Sequence, residues 1–154
     1  MPAPAISHVI LAGALIVAVF TVQVFYFYVV DNVYSDMVRR ELNEITDYVA
    51  DTVANLYFLA NSTGTDQSLE KTLKLPLDVG GSSFNLEITN QSNYAQKVKA
   101  AVQGKSWLNV TSWLPPGLLL DVGKTAMIQS SGKTVVAGCQ RVSSRVYVWI
   151  AYKE

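Results

Sequence analysis

Cysteine and histidine are almost missing from this chain: one of each, Cys139 and His8, occurs in 154 residues. One cysteine excludes an intrachain disulfide, and the two together are too few for a zinc site of the Cys/His type. His8 falls in an apolar run, so neither a Ser-His-Asp nor a Cys-His arrangement finds its base elsewhere. An excess of charge of one sign is missing too. Twelve basic and twelve acidic residues cancel, so no basic surface argues for nucleic acid. Glycine and proline are absent between Gly13 and Gly64, which removes the usual helix breakers there. No Lys or Arg precedes Arg39.

Little is left for catalysis. Asp66, Glu70, Asp78, Glu87 and Asp121 are scattered over expected turns and polar strand faces, and read as solvated surface charge. Gly123-Lys124-Thr125 lacks the glycine that a phosphate loop carries five residues earlier. Leu118 stands there, and no helix is expected afterwards. The chain is expected not to be an enzyme and to hold no cofactor or metal.

What is present is one long helical stretch, Ile6 to about Ser62, spanning ~80 Å at ~1.5 Å per residue. Residues 6–30 contain no Asp, Glu, Lys or Arg, and a bilayer core needs about 20 apolar residues. Phe25, Tyr26, Phe27 and Tyr28 cluster at the end of that run, where amphipathic rings suit lipid headgroups. The run is longer than the ~7–15 apolar residues of a cleaved secretory signal. Residues 1–30 are therefore expected to form an N-terminal membrane segment.

Residues 31–60 continue the helix amphipathically. Val38, Leu42, Ile45, Val49, Thr52, Leu56 and Leu59 are spaced alternately four and three apart, a heptad-like stripe with one polar member. Tyr48, Val53, Tyr57 and Phe58 widen it toward a face that suits packing on a sheet. Arg40 and Glu44 are placed to pair on the other side. For residues 31–44, contact with neighbouring subunits is the equal alternative to core packing.

Residues 61–154 read as a small β-rich head of six to eight short strands, an antiparallel sheet or small sandwich. Lys71–Leu77 alternates but holds Pro76, which suits an edge. Across Asp78-Val79-Gly80-Gly81 it is expected to form a hairpin with Ser82–Thr89, where Phe84, Leu86 and Ile88 share one face. Asn90–Asn93 is a turn, and Tyr94–Val102 is ambiguous between strand and helix. Gly123-Lys124 and Ser130-Ser131-Gly132 read as further hairpin turns. Arg145–Tyr152 is apolar on both faces and suits a central strand. Cys139 reads as a small buried hydrophobe. Trp107, Trp113, Trp149, Tyr94, Tyr147 and Tyr152 read as sheet core or subunit contact rather than a carbohydrate platform.

Asn61, Asn90 and Asn109 each open an N-x-[S/T] sequon after the membrane segment. Arg39 and Arg40 favour a cytoplasmic head, whereas the sequons favour an extracytoplasmic, glycosylated one. The latter is the expectation.

The run Ala5-Ile6-Ser7-His8-Val9-Ile10-Leu11-Ala12, followed by a glycine-poor apolar stretch, resembles the mature start of archaeal type IV pilins and archaellins. Leu75-Pro76-Leu77-Asp78-Val79-Gly80-Gly81-Ser82-Ser83-Phe84 looks like a segment found in archaeal pilin-like proteins. The resemblance implies an α+β lollipop: a long N-terminal helix carrying a β-rich head. It implies processing between Ala5 and Ile6, although Met1–Ala5 carries no basic residue and uncleaved insertion stays open. It also implies partners: the membrane, copies of this chain or related subunits through residues 6–44, and an assembly ATPase with its platform protein. The expected role is a structural or minor subunit of a pilus-like surface filament. The alternatives are a membrane-retained anchor like an archaellum stator subunit, or a single-span extracytoplasmic sensor.

Overall fold

The computed structural model describes residues 3–63, 65–91, 94–121 and 127–153. One helix, α1 (Ala3–Ser62), precedes eight strands: β1 (Ser68–Leu73), β2 (Phe84–Gln91), β3 (Tyr94–Val102), β4 (Lys105–Trp113), β5 (Leu118–Leu120), β6 (Met127–Gln129), β7 (Val135–Val142) and β8 (Arg145–Tyr152). This is the expected α+β class. Pro4 lies in the first helical turn, where its missing N–H forfeits no intrahelical bond. The chain divides into two units, Met1–Asp36 and Met37–Glu154. The first is the helix up to Asp36, and its described side chains from Ser7 to Val33 are all exposed.

The second unit holds the rest of α1 and every strand. Here the helix buries Val38, Leu42, Ile45, Val49, Val53 and Leu56, with Thr46 and Thr52 among them. Thr46 satisfies its hydroxyl on the carbonyls of Leu42 and Asn43, both at 3.0 Å, so it is buried without an orphan donor. Leu59 departs from expectation. It is 52% exposed, and Ala60, fully buried, takes its place. A heptad repeat drifts ~20° per seven residues against a straight helix, so three heptads carry the seam about 60° off the core. Arg40 and Glu44, placed to pair, are both exposed and form no ion pair among the described residues.

The helix ends on polar groups rather than on a visible glycine cap, because the expected stop at Gly64 lies outside the described residues. The hydroxyls of Ser62 and Thr63 donate to the carbonyls of Leu59 and Ala60. The Arg141 guanidinium, from β7, donates to the carbonyls of Ala60 (3.4 Å) and Asn61 (2.9 Å). These are the carbonyls a helix leaves unpaired, and a cation there also suits the dipole.

All eight strands belong to one sheet, in the order β1-β7-β8-β5-β3-β2-β6, with β4 also on β3. Every pairing is antiparallel except β5–β8, which is parallel. The sheet curls, since the Tyr152 hydroxyl in β8 bonds both the N–H and the carbonyl of Gln129 in β6. The first expected hairpin does not form. β1 pairs with β7, Ser68 opposite Gln140 through Leu73 opposite Val135, while β2 pairs with β3 and β6. The Gly80-Gly81 turn is real but local. Val79 and Ser82 exchange two backbone hydrogen bonds of 2.9 and 3.1 Å around two left-handed glycines, φ 56° and 72°. Pro76 lacks the donor that would extend this ladder toward β1.

Nor do the later turns join neighbours. Ser130-Ser131-Gly132 separates β6 from β7, yet β6 pairs with β2, and β7 with β1 and β8. Gly123-Lys124 lies outside the described residues, as do Ser92 and Asn93 of the expected turn before β3. β5 finds its partners in β8 and, through Leu119 opposite Tyr94, in β3. Segments this short hold only where longer strands offer an open edge.

The ambiguous stretch is β3, and its register explains the ambiguity. Thr89 of β2 faces Lys97 and Asn90 faces Ala95, so Gln96 is an extra residue, a β-bulge. Ala95 and Val98, three apart, are consequently both buried. β8 is interior as expected, between β7 and β5, with Val146, Val148, Trp149 and Ile150 buried. Trp149 lies across Gly138, its register partner. A Cβ at Gly138 would fall 2.1–2.5 Å from the indole, so only glycine admits this ring.

Candidate functional site

Two features stand outside the packed core, one in each unit. The first is the helix surface from Ser7 to Val30. Its large apolar side chains are exposed, Phe20 at 63% and Phe27 at 69% for example. The helix is long and apolar enough to cross a membrane. The polar atoms in it are partly self-satisfied: the Thr21 hydroxyl donates to the Val17 carbonyl at 2.8 Å. Tyr26 and Phe27 meet edge to face at 6.2 Å. Val17, Phe20, Thr21, Val24, Phe25 and Tyr28 bound a shallow groove of about 550 Å³ along one helix face. Side chains at this spacing form the ridges and grooves by which helices pack.

The second feature is a groove of about 510 Å³ between the start of β3 and the end of β4. Tyr94, Ala95, Gln96, Trp113, Leu114 and Pro116 line it, with Gly117 (φ 92°) at its end. The bulge at Gln96 sets its floor, because the Gln96 carbonyl turns to accept the Leu114 N–H at 2.9 Å. Trp113 is 73% exposed and Tyr94 52%. The Lys97 ammonium stands 5.7 Å from the Trp113 ring centroid, within cation–π range. One residue before Trp113, Ser112 donates its hydroxyl to Asp47 of α1 at 2.6 Å, which fixes that end of β4.

The expected aromatic group thus separates. Trp149 is core, whereas Trp107, Trp113 and Tyr94 are on the surface. Trp107 projects from the irregular start of β4, where the register jumps from Asn109 opposite Ala101 to Lys105 opposite Val102. The expected helix-packing residues Val38, Leu42, Ile45, Val49 and Leu56 are all buried, and Leu59 is not.

The three sequon asparagines are exposed, and no two share an element. Asn61 lies in the last turn of α1, and Asn90 near the end of β2 with Ser92 of its sequon outside the described residues. Asn109 lies within β4 rather than at a turn, and its amide nitrogen donates to the Ser106 carbonyl at 2.6 Å. That nitrogen carries two hydrogens, so a glycan attached there would replace one and leave one N–H to donate. Ala5 and Ile6 are helical.

Among the described residues no group of three or more His, Cys, Asp or Glu is placed to hold a metal ion. Cys139 is fully buried, and burial pushes its thiol up from the ordinary 9.0 to about 11. A thiol so held is a poor nucleophile at neutral pH. The groove at Tyr94 and Trp113 was not legible beforehand, because it depends on a bulge. The signal available was the polar company of each ring, Asn93 and Gln96 beside Tyr94 and Ser112 beside Trp113. No protein-family model, no curated protein and no solved structure matches the chain.

Proposed function

We propose that this chain is a non-enzymatic structural or minor subunit of an archaeal type IV pilus-like surface filament, assembled through residues 6–30. The observation that carries the reading is the helix surface from Ser7 to Val30, apolar and exposed. In water such a surface is strongly unfavourable, at roughly 25 cal/mol per Å². Lipid relieves that penalty before assembly, and like helices relieve it afterwards, so transfer from bilayer to filament core need not expose the segment. The head lies on the extracytoplasmic side, with Asn61, Asn90 and Asn109 as glycan acceptors and its outer surface available for adhesion. Assembly is driven from the cytoplasm by an ATPase acting through a membrane platform.

Mass spectrometry of filaments sheared from cells is the test. Peptides of residues 37–154 in the sheared fraction support the reading. Their confinement to washed membranes overturns it in favour of a retained anchor of the archaellum-stator kind. Protease protection of the head in intact cells would exclude both. Intact mass of the mature chain reports processing at Ala5-Ile6 and glycan occupancy together.

A further inference from the structure

The groove beside Trp113 has a complement on the same unit. Between β1 and β2 the loop Leu75-Pro76-Leu77-Asp78 presents Leu77 at 64% exposure. The other exposed apolar side chains of residues 37–154 outside the aromatic surface lie on the helix (Met37, Tyr48, Phe58, Leu59) or on strands (Met127, Val142). Among the described residues Leu77 is the one large exposed aliphatic side chain that stands on a loop, and an acidic residue follows it. Asp78 is exposed and makes no hydrogen bond or ion pair among the described residues. At the groove's Trp113 wall, the Lys97 ammonium has the Trp113 ring beside it and pairs with no carboxylate among the described residues.

We propose that the Leu75–Asp78 loop of one copy seats in the Tyr94–Trp113–Pro116 groove of a second copy, with Asp78 meeting Lys97. Apolar side chains enter an aromatic-walled groove, and opposite charges fix the direction of entry. Pro76 fixes its own φ, so the loop loses little freedom on docking. Aromatic grooves that take extended, proline-containing segments are a recurrent recognition mode. Loop and groove share no residue, so each copy has one of each free to engage, and the contact can run from copy to copy head to tail or close reciprocally on a two-fold axis. Four residues bury far less than the ~800 Å² per partner of a stable interface. The contact therefore works only between copies already gathered in a membrane or filament, and in that respect it rests on the function proposed above.

The test uses the full-length chain in lipid vesicles. Two versions with different mass tags carry Lys74→Cys, just before the loop, and Thr111→Cys, two residues before Trp113 on β4, both at exposed positions that leave Leu77 and Trp113 in place. Buried Cys139 is retained, and a short bismaleimide links the pair. The expected product is a covalent pair bearing both tags, well above pairs bearing one. Lys97→Glu lowers its yield about fivefold, the scale of an exposed ion pair turned repulsive. Adding Asp78→Lys on the loop-bearing copy restores it. Same-tag pairs at equal yield, or a charge swap without rescue, overturn the proposal. So does a saturable shift in tryptophan emission on adding an oligosaccharide, lost in Trp113→Ala, with no mixed pair formed. The chain in filaments sheared from cells, with no mixed pair in vesicles, leaves the filament reading standing and removes this one; the mixed pair in vesicles, with the chain confined to washed membranes in cells, does the reverse.

Discussion

Residues 7–30 and 37–62 belong to the same helix, with one glycine (Gly13) in the first stretch and no proline in either, yet they meet opposite surroundings. The first exposes Val, Leu, Ile and Phe on every side. The second hides one stripe and shows Arg39, Arg40, Glu44, Asp47 and Asp51 to water. Helix propensity does not distinguish them, since each mixes strong formers (Ala and Leu) with middling ones, Val, Phe and Tyr in the first and Asn, Asp, Thr and Val in the second. The distinction lies in where the polar residues fall around the axis. A helix with a polar face can dock on a sheet; one without must find a non-aqueous surrounding.

The largest test of that contrast is a lysine placed once in each stretch. Leu42→Lys buries an unpaired charge among fully buried neighbours and should unfold the second unit at any accessible temperature, read by circular dichroism. Even Leu42→Ala should cost about 3 kcal/mol by urea titration. Val17→Lys should leave the unfolding midpoint of the second unit unchanged. It should instead weaken membrane insertion by about 3 kcal/mol, measured as the fraction of chain retained in carbonate-washed vesicles.

A pH titration probes how dry the buried side is. The Cys139 thiol is raised to about 11 in the fold from 9.0. The folded state therefore holds the proton more tightly than the unfolded one. Its contribution is fully present below pH 9 and lost as pH rises toward 11, by roughly 2 kcal/mol. Cys139→Ala should flatten the stability–pH curve in that window. A smaller effect belongs to the helix end. Arg141→Met should lower stability by about 1 kcal/mol through two carbonyls left to water, with Arg141→Lys recovering part of it. The smallest is Leu59→Ser, expected within ~0.5 kcal/mol of neutral, whereas Leu56→Ser three residues earlier should cost about 3 kcal/mol.

The helix was legible because its evidence is local: breaker-free sequence, an apolar run, then a periodic stripe. The β2 segment was legible because Phe84, Leu86 and Ile88 alternate with polar residues, and β8 because Val146–Tyr152 is a short run apolar on both faces. Strand partners were not, since partner choice lies in contacts far apart in sequence. Ser68 meets Gln140 and Leu118 meets Val146, and no turn signal encodes either. The β7–β8 hairpin turns on Ser143 and Ser144, both left-handed at φ 48° and 72°, with no glycine or asparagine to announce it. The Asp66 carboxylate, 3.2 Å from the Ser143 N–H, helps hold that conformation. Of the candidate site, the apolar helix surface was visible in the sequence. The aromatic groove was not, because Gln96 breaks the two-residue period that would have shown it as strand.

The guanidinium at the end of α1 also sets an order of events during synthesis. The carbonyls of Ala60 and Asn61 leave the ribosome about 80 residues before Arg141, which binds them. β1 likewise waits for β7, and β5 for β8. Until residues 135–152 emerge, the stripe from Val38 to Ala60 has no finished sheet to cover it, although the preceding apolar run is already available to the insertion machinery. For the membrane-anchored subunit proposed above, insertion then precedes folding of residues 37–154, and a chaperone shielding that stripe in the interval would find an amphipathic helix as its target.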